Sequence, residues 1–356
     1  MFAFDIVMPL ALFAITIVAV FLNKRVESKL KTSFEEREFR ARDAVLFVIM
    51  ITVAVSVIVF LPQLAIVTLF VSSYSALLFT FSYFFSNLKR RMAQLFAFLF
   101  GVAGILGGAF AFLALPSTIL VYYGGLGLFG LAVSALLVVL YEQKTTKNGG
   151  RWYLALLPPI LFVLLFLVYS PTSYWFPVLM NTYGVVFAIL ITLYLSSLFT
   201  WKVTYIFAAL LTMMDIILVL FTGVMVTAAT HVAGLGLPVL ISLPTIPLVV
   251  TADGIRYLSL GLGDFFFAGT LATQTLKKFG KKTAIASAIA MTISFGVFEV
   301  FLLSTDFGAF PGTVMIICGW IPIIAWKLFA GRKTKSNGTK ENELEKGVSV
   351  LTEQGA

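Results

Sequence analysis

Charged residues are scarce in this sequence. They make up 12% of the 356 residues, while 60% are hydrophobic and the mean hydropathy is +1.03. Soluble domains are about 25% charged, so this chain lacks the polar surface that a water-soluble globule needs. The composition therefore predicts a polytopic membrane protein, and it excludes a secreted domain, a soluble Rossmann enzyme and a disordered scaffold.

Cysteine and histidine are almost absent. Cys318 is the one cysteine, so the chain cannot form an internal disulfide, and its apolar surroundings disfavour a thiolate catalyst. His231 is the one histidine, and no group of His, Cys and carboxylate residues has the spacing of a zinc site. We therefore expect no metal and no organic cofactor. The net charge of +9 does not indicate nucleic-acid binding, because the basic residues lie in short stretches between apolar runs.

Long apolar runs dominate what is present. Each is near the length of roughly 20 residues that a membrane-spanning helix needs, and none alternates in hydrophobicity as a barrel strand does. The sequence thus predicts an all-α polytopic membrane protein. The eleven predicted spans are 2–22, 44–61, 64–86, 93–115, 118–141, 153–170, 176–200, 203–226, 257–276, 283–304 and 309–328.

The basic residues also predict an orientation. With the N-terminus outside, 24 of the 25 Lys and Arg residues fall on the inner side, and only Arg256 falls outside. Because basic loops stay in the cytoplasm, we expect a multi-pass protein of a cell membrane with a cytoplasmic C-terminus. The polar segment 331–356 is predicted to be a disordered cytoplasmic tail.

Two acids lie deep within predicted spans, Asp215 and Asp264. An ionisable side chain at such depth is costly, so it is functional by default. Both are expected roughly 10–17 Å below the outer surface, on consecutive helices that are usually neighbours. Two facing carboxyls share one proton and can activate water for attack on a peptide carbonyl. A proton relay or ion site in a transporter explains the same two acids equally well.

The sequence around Asp264 favours the protease. Gly261-Leu262-Gly263 comes directly before the acid, and glycine lets a second backbone approach closely. A protease must hold an extended substrate backbone beside its acids, so this segment suits substrate binding.

The string Gly261-Leu262-Gly263-Asp264, with Asp215 one helix earlier, resembles the presenilin and signal peptide peptidase family of intramembrane aspartyl proteases. The resemblance implies a nine-helix core with 203–226, 257–276 and 309–328 as its sixth, seventh and ninth helices. The core would then cover 64–330, and 1–63 would add two N-terminal helices and a basic cytoplasmic loop. Two departures stand out: Met214 takes the place of the family's tyrosine, and Pro311-Gly312-Thr313 takes the place of its Pro-Ala-Leu motif.

The resemblance implies a function and a set of site residues. Asp215 and Asp264 would be catalytic, while the segments Gly261-Leu262-Gly263 and Pro311-Gly312-Thr313 would contact substrate. Substrates would be membrane-spanning peptides such as signal-peptide remnants, met within the lipid bilayer. A proton-coupled transporter and an inactive relative that binds helices without cutting them remain open alternatives. The sequence indicates no oligomeric state.

Overall fold

A computed structural model describes residues 5–33, 39–116, 118–144, 151–251, 254–305 and 309–330. Within these ranges the chain forms twelve α-helices and four short strands. The predicted tail at 331–356 lies outside the described residues.

The helices follow the predicted spans, except that the first ends at Ser33 instead of residue 22 and that one short extra helix, α9, comes after the eighth. In chain order they are α1 Val7–Ser33, α2 Ala41–Ile58, α3 Gln63–Phe84, α4 Arg90–Ala114, α5 Ile119–Lys144, α6 Leu157–Tyr169, α7 Met180–Leu198, α8 Trp201–Ile216, α9 Val224–Ala233, α10 Leu262–Phe279, α11 Lys281–Ser304 and α12 Gly312–Ala330. A 3₁₀ turn precedes α6, a π-type turn precedes α7, and another π-type turn extends α8 through Phe221.

Ten of these helices are long and apolar enough to cross a membrane. Helices suit such runs because the bilayer core offers no water to bond backbone N–H and C=O groups, which a helix pairs internally. The chain is therefore a multi-pass membrane protein by length and composition. The remaining predicted span, 257–276, corresponds to α10, which is too polar to be among the ten.

The predicted span at 257–276 is wrong at its first five residues. Strand β4 (Tyr257–Gly261) pairs antiparallel with β1 (Leu240–Pro244), from Leu240 opposite Gly261 to Pro244 opposite Tyr257. The even shorter strands β2 (Val250–Thr251) and β3 (Gly254–Ile255) pair between them. The expectation of an all-α fold thus holds for the helices but misses this hairpin, which directs the chain into α10.

Helix α10 occupies the centre of the molecule. Its side chains from Phe265 to Thr275 are all buried, and it packs against α1, α7, α8 and α11. Gln274 donates hydrogen bonds of 2.9 and 2.8 Å to the carbonyls of Ser196 and Phe199 at the end of α7. Polar residues are therefore tolerated in α10 because other helices, rather than lipid, surround it.

Helix α1 shares this core, whereas α4 and α5 pack mainly against each other. Met8, Leu12 and Ile15 of α1 are buried among residues of the central helices. In the α4–α5 pair, a Cβ added at Gly104 would lie 2.7 Å from the carbonyl oxygen of Leu128, so small residues permit this contact. Helix α1 thus belongs to the central core, whereas the α4–α5 pair lies at its periphery. The predicted division at residue 64 stays a prediction.

Candidate functional site

Asp215 lies next to the last residue of α8, where the regular helix passes into the π-type turn. Its side chain is half-buried. Two groups of Thr313 donate to its Oδ2 atom, the hydroxyl at 2.6 Å and the backbone N–H at 3.3 Å. A residue 98 positions later in the chain therefore orients this carboxyl.

Asp264 lies in the first turn of α10 rather than deep within a helix. The strand that precedes it ends at Gly261, whose backbone N–H interacts with the Asp264 carboxylate. The partial positive charge of a helix N-terminus favours an acid at this position. Asp264 is half-buried, and the charge of Asp215 acts on it, so the two carboxyls lie close together.

The segment Pro311-Gly312-Thr313 joins the two aspartates at the start of α12. Thr313 donates a hydrogen bond to Asp215. Gly312 lies against Asp264, and a Cβ added at Gly312 would come within 2.5 Å of the Asp264 Oδ1 atom. Pro311 accepts the backbone N–H of Val314 at 3.2 Å and so begins the helix. Two consecutive residues thus hold carboxyls from two different helices.

The predicted substrate-contacting residues differ in exposure. Gly263 is exposed, and a Cβ added there would meet nothing within 4 Å. Gly261 and Gly312 are half-buried, while Leu262, Pro311 and Thr313 are buried. The structure brings all six next to the aspartates, but only the glycines leave backbone open beside them.

An apolar groove of about 810 Å³ ends at Gly261, Leu262 and Gly263. Helices α2, α3 and α9 form most of its walls. The side chains that line it are almost entirely hydrophobic, and they include Met50, Val53, Leu69, Phe70, Met225 and Val232. The groove has the character of a membrane interior, so it suits an apolar segment better than a polar solute.

The β1–β4 hairpin was missed in the sequence. Asn181 of α7 bonds both backbone groups of Ser242, accepting from its N–H at 2.8 Å and donating to its carbonyl. These bonds close the outer edge of β1. Among the described residues, no further backbone segment bonds the outer edge of β4, which leads to Asp264. The sequence signal for the hairpin is the alternation in two short segments, LISLP and YLSLG. Both segments are largely apolar, so they are hard to distinguish from the apolar residues around them.

The arrangement supports acid–base chemistry without a metal. Two carboxyls in a partly buried setting can hold one proton between them and act as general base and general acid. Among the residues that the structure describes, no cluster of three or more His, Cys, Asp and Glu side chains could bind a metal ion.

No family model matches the chain, and no curated protein matches it. The function is therefore argued from the geometry of the site.

Proposed function

We propose that this protein is an intramembrane aspartyl protease that hydrolyses peptide bonds within membrane-spanning segments. The observation that carries the proposal is the meeting of Asp215 and Asp264 at two consecutive residues, Gly312 and Thr313. The acids come from helices separated by a hairpin, yet both reach the start of α12. A two-carboxyl mechanism needs its acids held at a fixed separation, and a shared anchoring point provides this.

The proposed mechanism uses one proton shared between the two carboxyls. The ionised carboxyl takes a proton from a water molecule as that water attacks the peptide carbonyl, forming a tetrahedral intermediate. The protonated carboxyl then gives its proton to the leaving amide nitrogen, and the C–N bond breaks. Thr313 occupies Oδ2 of Asp215, which leaves Oδ1 of that side chain for the water.

The groove supports membrane-spanning segments as substrates. Its apolar walls would receive a helix from the lipid, and its end at Gly261 and Gly263 would bring the substrate backbone to the acids. An unwound substrate segment could pair with the outer edge of β4 as an added strand, which satisfies its backbone polar groups. If the C-terminus is cytoplasmic, we expect substrates with cytoplasmic N-termini, such as signal-peptide remnants.

Cleavage of a tagged single-span peptide by the purified protein in lipid tests this proposal. We expect wild type to cleave, and Asp264→Asn and Asp215→Asn each to lose at least about a hundredfold in rate while remaining folded. The matched control is Asp43→Asn, which changes an acid at the start of α2 that also accepts a backbone N–H. This control should cleave like wild type.

Three outcomes would contradict the proposal. Cleavage that persists in Asp264→Asn would remove that residue from the chemistry. Absence of cleavage by wild type across peptides of varied sequence would favour the helix-binding relative. Movement of a solute under a pH gradient, with all peptides left intact, would favour the transporter.

A further inference from the structure

A second pair of buried acids lies away from the candidate site. Asp5, just before α1, is 2% exposed, and Glu299, near the end of α11, is 6% exposed. Neither takes part in the proposed mechanism. Burial of two acids needs a physical explanation because each costs free energy unless it is paired or shares a proton.

The packing of α1 against α11 brings these two acids together. A Cβ added at Gly296 would lie 3.5 Å from Cγ of Pro9, so the helices approach closely there. At the other end of the pair, the amine of Lys281 lies 4.5 Å from the ring centroid of Phe21, which makes the helices antiparallel. Asp5 and Glu299 each lie one turn beyond Pro9 and Gly296, so both are at the same end of this helix pair.

Asp5 ties the first turn of α1 to the loop between β1 and β4. Its Oδ2 atom accepts the backbone N–H of Met8 at 3.1 Å, and its Oδ1 atom accepts that of Ile246 at 2.8 Å. Ile246 lies two residues after β1, so the bond holds the loop that returns the chain to β4.

Among the described residues, Glu299 forms no ion pair with Lys or Arg. Its Oε2 atom is buried and has no hydrogen-bond partner among the described residues. Asp5 is the acid that acts on Glu299 from the α1 side. Arg256, the basic residue of the loop, is exposed. A proton held between Asp5 and Glu299 removes the repulsion and gives Glu299 a hydrogen to donate.

We propose that Asp5 and Glu299 form a proton-sharing pair that fastens the β1–β4 loop to α1 and thereby positions Asp264. The mechanical path runs from the pair through Ile246 to the hairpin, and from Gly261 at the end of β4 to the Asp264 carboxylate. The fastening itself is independent of any activity, whereas its effect on catalysis rests on the proposed function. Glu299 is in this view a positioning residue that acts through Asp5.

Hydrogen–deuterium exchange across pH tests the fastening directly. In wild type, the amides around Ile246 should be protected at acidic and neutral pH. Once the shared proton is lost in alkali, they should exchange on the order of tenfold faster after correction for intrinsic rates. Glu299→Gln keeps a neutral donor, so its protection should not change with pH. Asp5→Asn should lower protection, because an amide nitrogen cannot accept one of the two N–H groups. Asp43→Asn, the matched control, should behave like wild type.

Two exchange results would overturn the proposal: the same alkaline loss of protection in Glu299→Gln as in wild type, or unchanged protection around Ile246 in Asp5→Asn. If Asp5→Asn does not fold, the Glu299→Gln comparison decides alone. Peptide cleavage gives a second readout. In alkali, the kcat of Glu299→Gln should fall less than the kcat of wild type, with KM unchanged. If wild type cleaves nothing, the proposed function fails, while the exchange measurement still decides the pair.

Discussion

Two carboxylate clusters in this protein are built in opposite ways. Glu142, at the end of α5, is fully buried and meets a cation: Arg151 Nε donates to its Oε1 at 2.7 Å, and the Tyr153 hydroxyl donates to the same atom. Asp215 and Asp264 meet Thr313, Gly312 and each other. In the part of the chain that the structure describes, neither aspartate forms an ion pair with Lys or Arg.

The difference separates an acid held in an ion pair from two acids without a fixed counter-charge. Glu142 and Arg151 also bring Leu88 of the α3–α4 connection into the cluster, because Arg151 Nη1 donates to its carbonyl at 2.6 Å. The carboxylate raises the pKa of the Arg151 guanidinium, so the arginine stays charged. A raised pKa in a base contributes stability below its unfolded pKa, and that stability is lost only as pH rises through the folded pKa, far above neutrality. The two aspartates have no such fixed counter-charge and can exchange a proton.

The largest effect on stability is expected at Glu142. Replacing it with Gln leaves the buried Arg151 charge without a partner, which should cost about 3 kcal/mol of unfolding free energy. Equilibrium denaturation in mixed micelles measures this change, and the peptide assay should show near-normal activity. The double variant Glu142→Gln/Arg151→Gln should recover part of the loss. A variant that is stable but inactive would place Glu142 with the two aspartates instead.

A smaller effect is expected from a pair of glycine substitutions at the site. Gly312→Ala should push Asp264 aside, since its Cβ would lie 2.5 Å from Oδ1. Misplacement of a reacting group by about 1 Å can cost about a hundredfold in kcat. Gly130→Ala in α5 is the matched control, because a Cβ there would also meet nothing within 4 Å and the residue lies away from the site. Equal activities of the two variants in the cleavage assay would show that Gly312 does not position Asp264.

The smallest effect is expected at Thr313. Thr313→Val removes the 2.6 Å hydroxyl bond to Asp215 and keeps the shape of the side chain, so kcat should fall about tenfold, equivalent to about 1.4 kcal/mol. Thr313→Ser retains the hydroxyl and should restore most of the rate. If Ser and Val prove equally impaired, the methyl packing of Thr313 matters more than its hydrogen bond.

Sequence reasoning predicted the helices better than the site. Ten predicted spans became long apolar helices, because each depends on its own composition; α1 departs most, ending at Ser33 rather than at residue 22. It also singled out Asp215, Asp264 and the segment at 311–313. It missed the hairpin at 240–261 and therefore placed Asp264 inside a helix instead of at its start. The placement of Asp5 and Glu299 at one end of a helix pair was not predicted, because it depends on how α1 packs against α11.

The sequence by itself determined that this is a membrane protein and where its helices lie. A run of about 20 apolar residues has one stable backbone solution in a bilayer, whatever the rest of the chain does. The tertiary structure decided which polar residues meet. The contacts among Asp215, Asp264 and Thr313, and between Asp5 and Glu299, join residues far apart in the chain, and only the packing of whole helices brings such residues within hydrogen-bonding or electrostatic range.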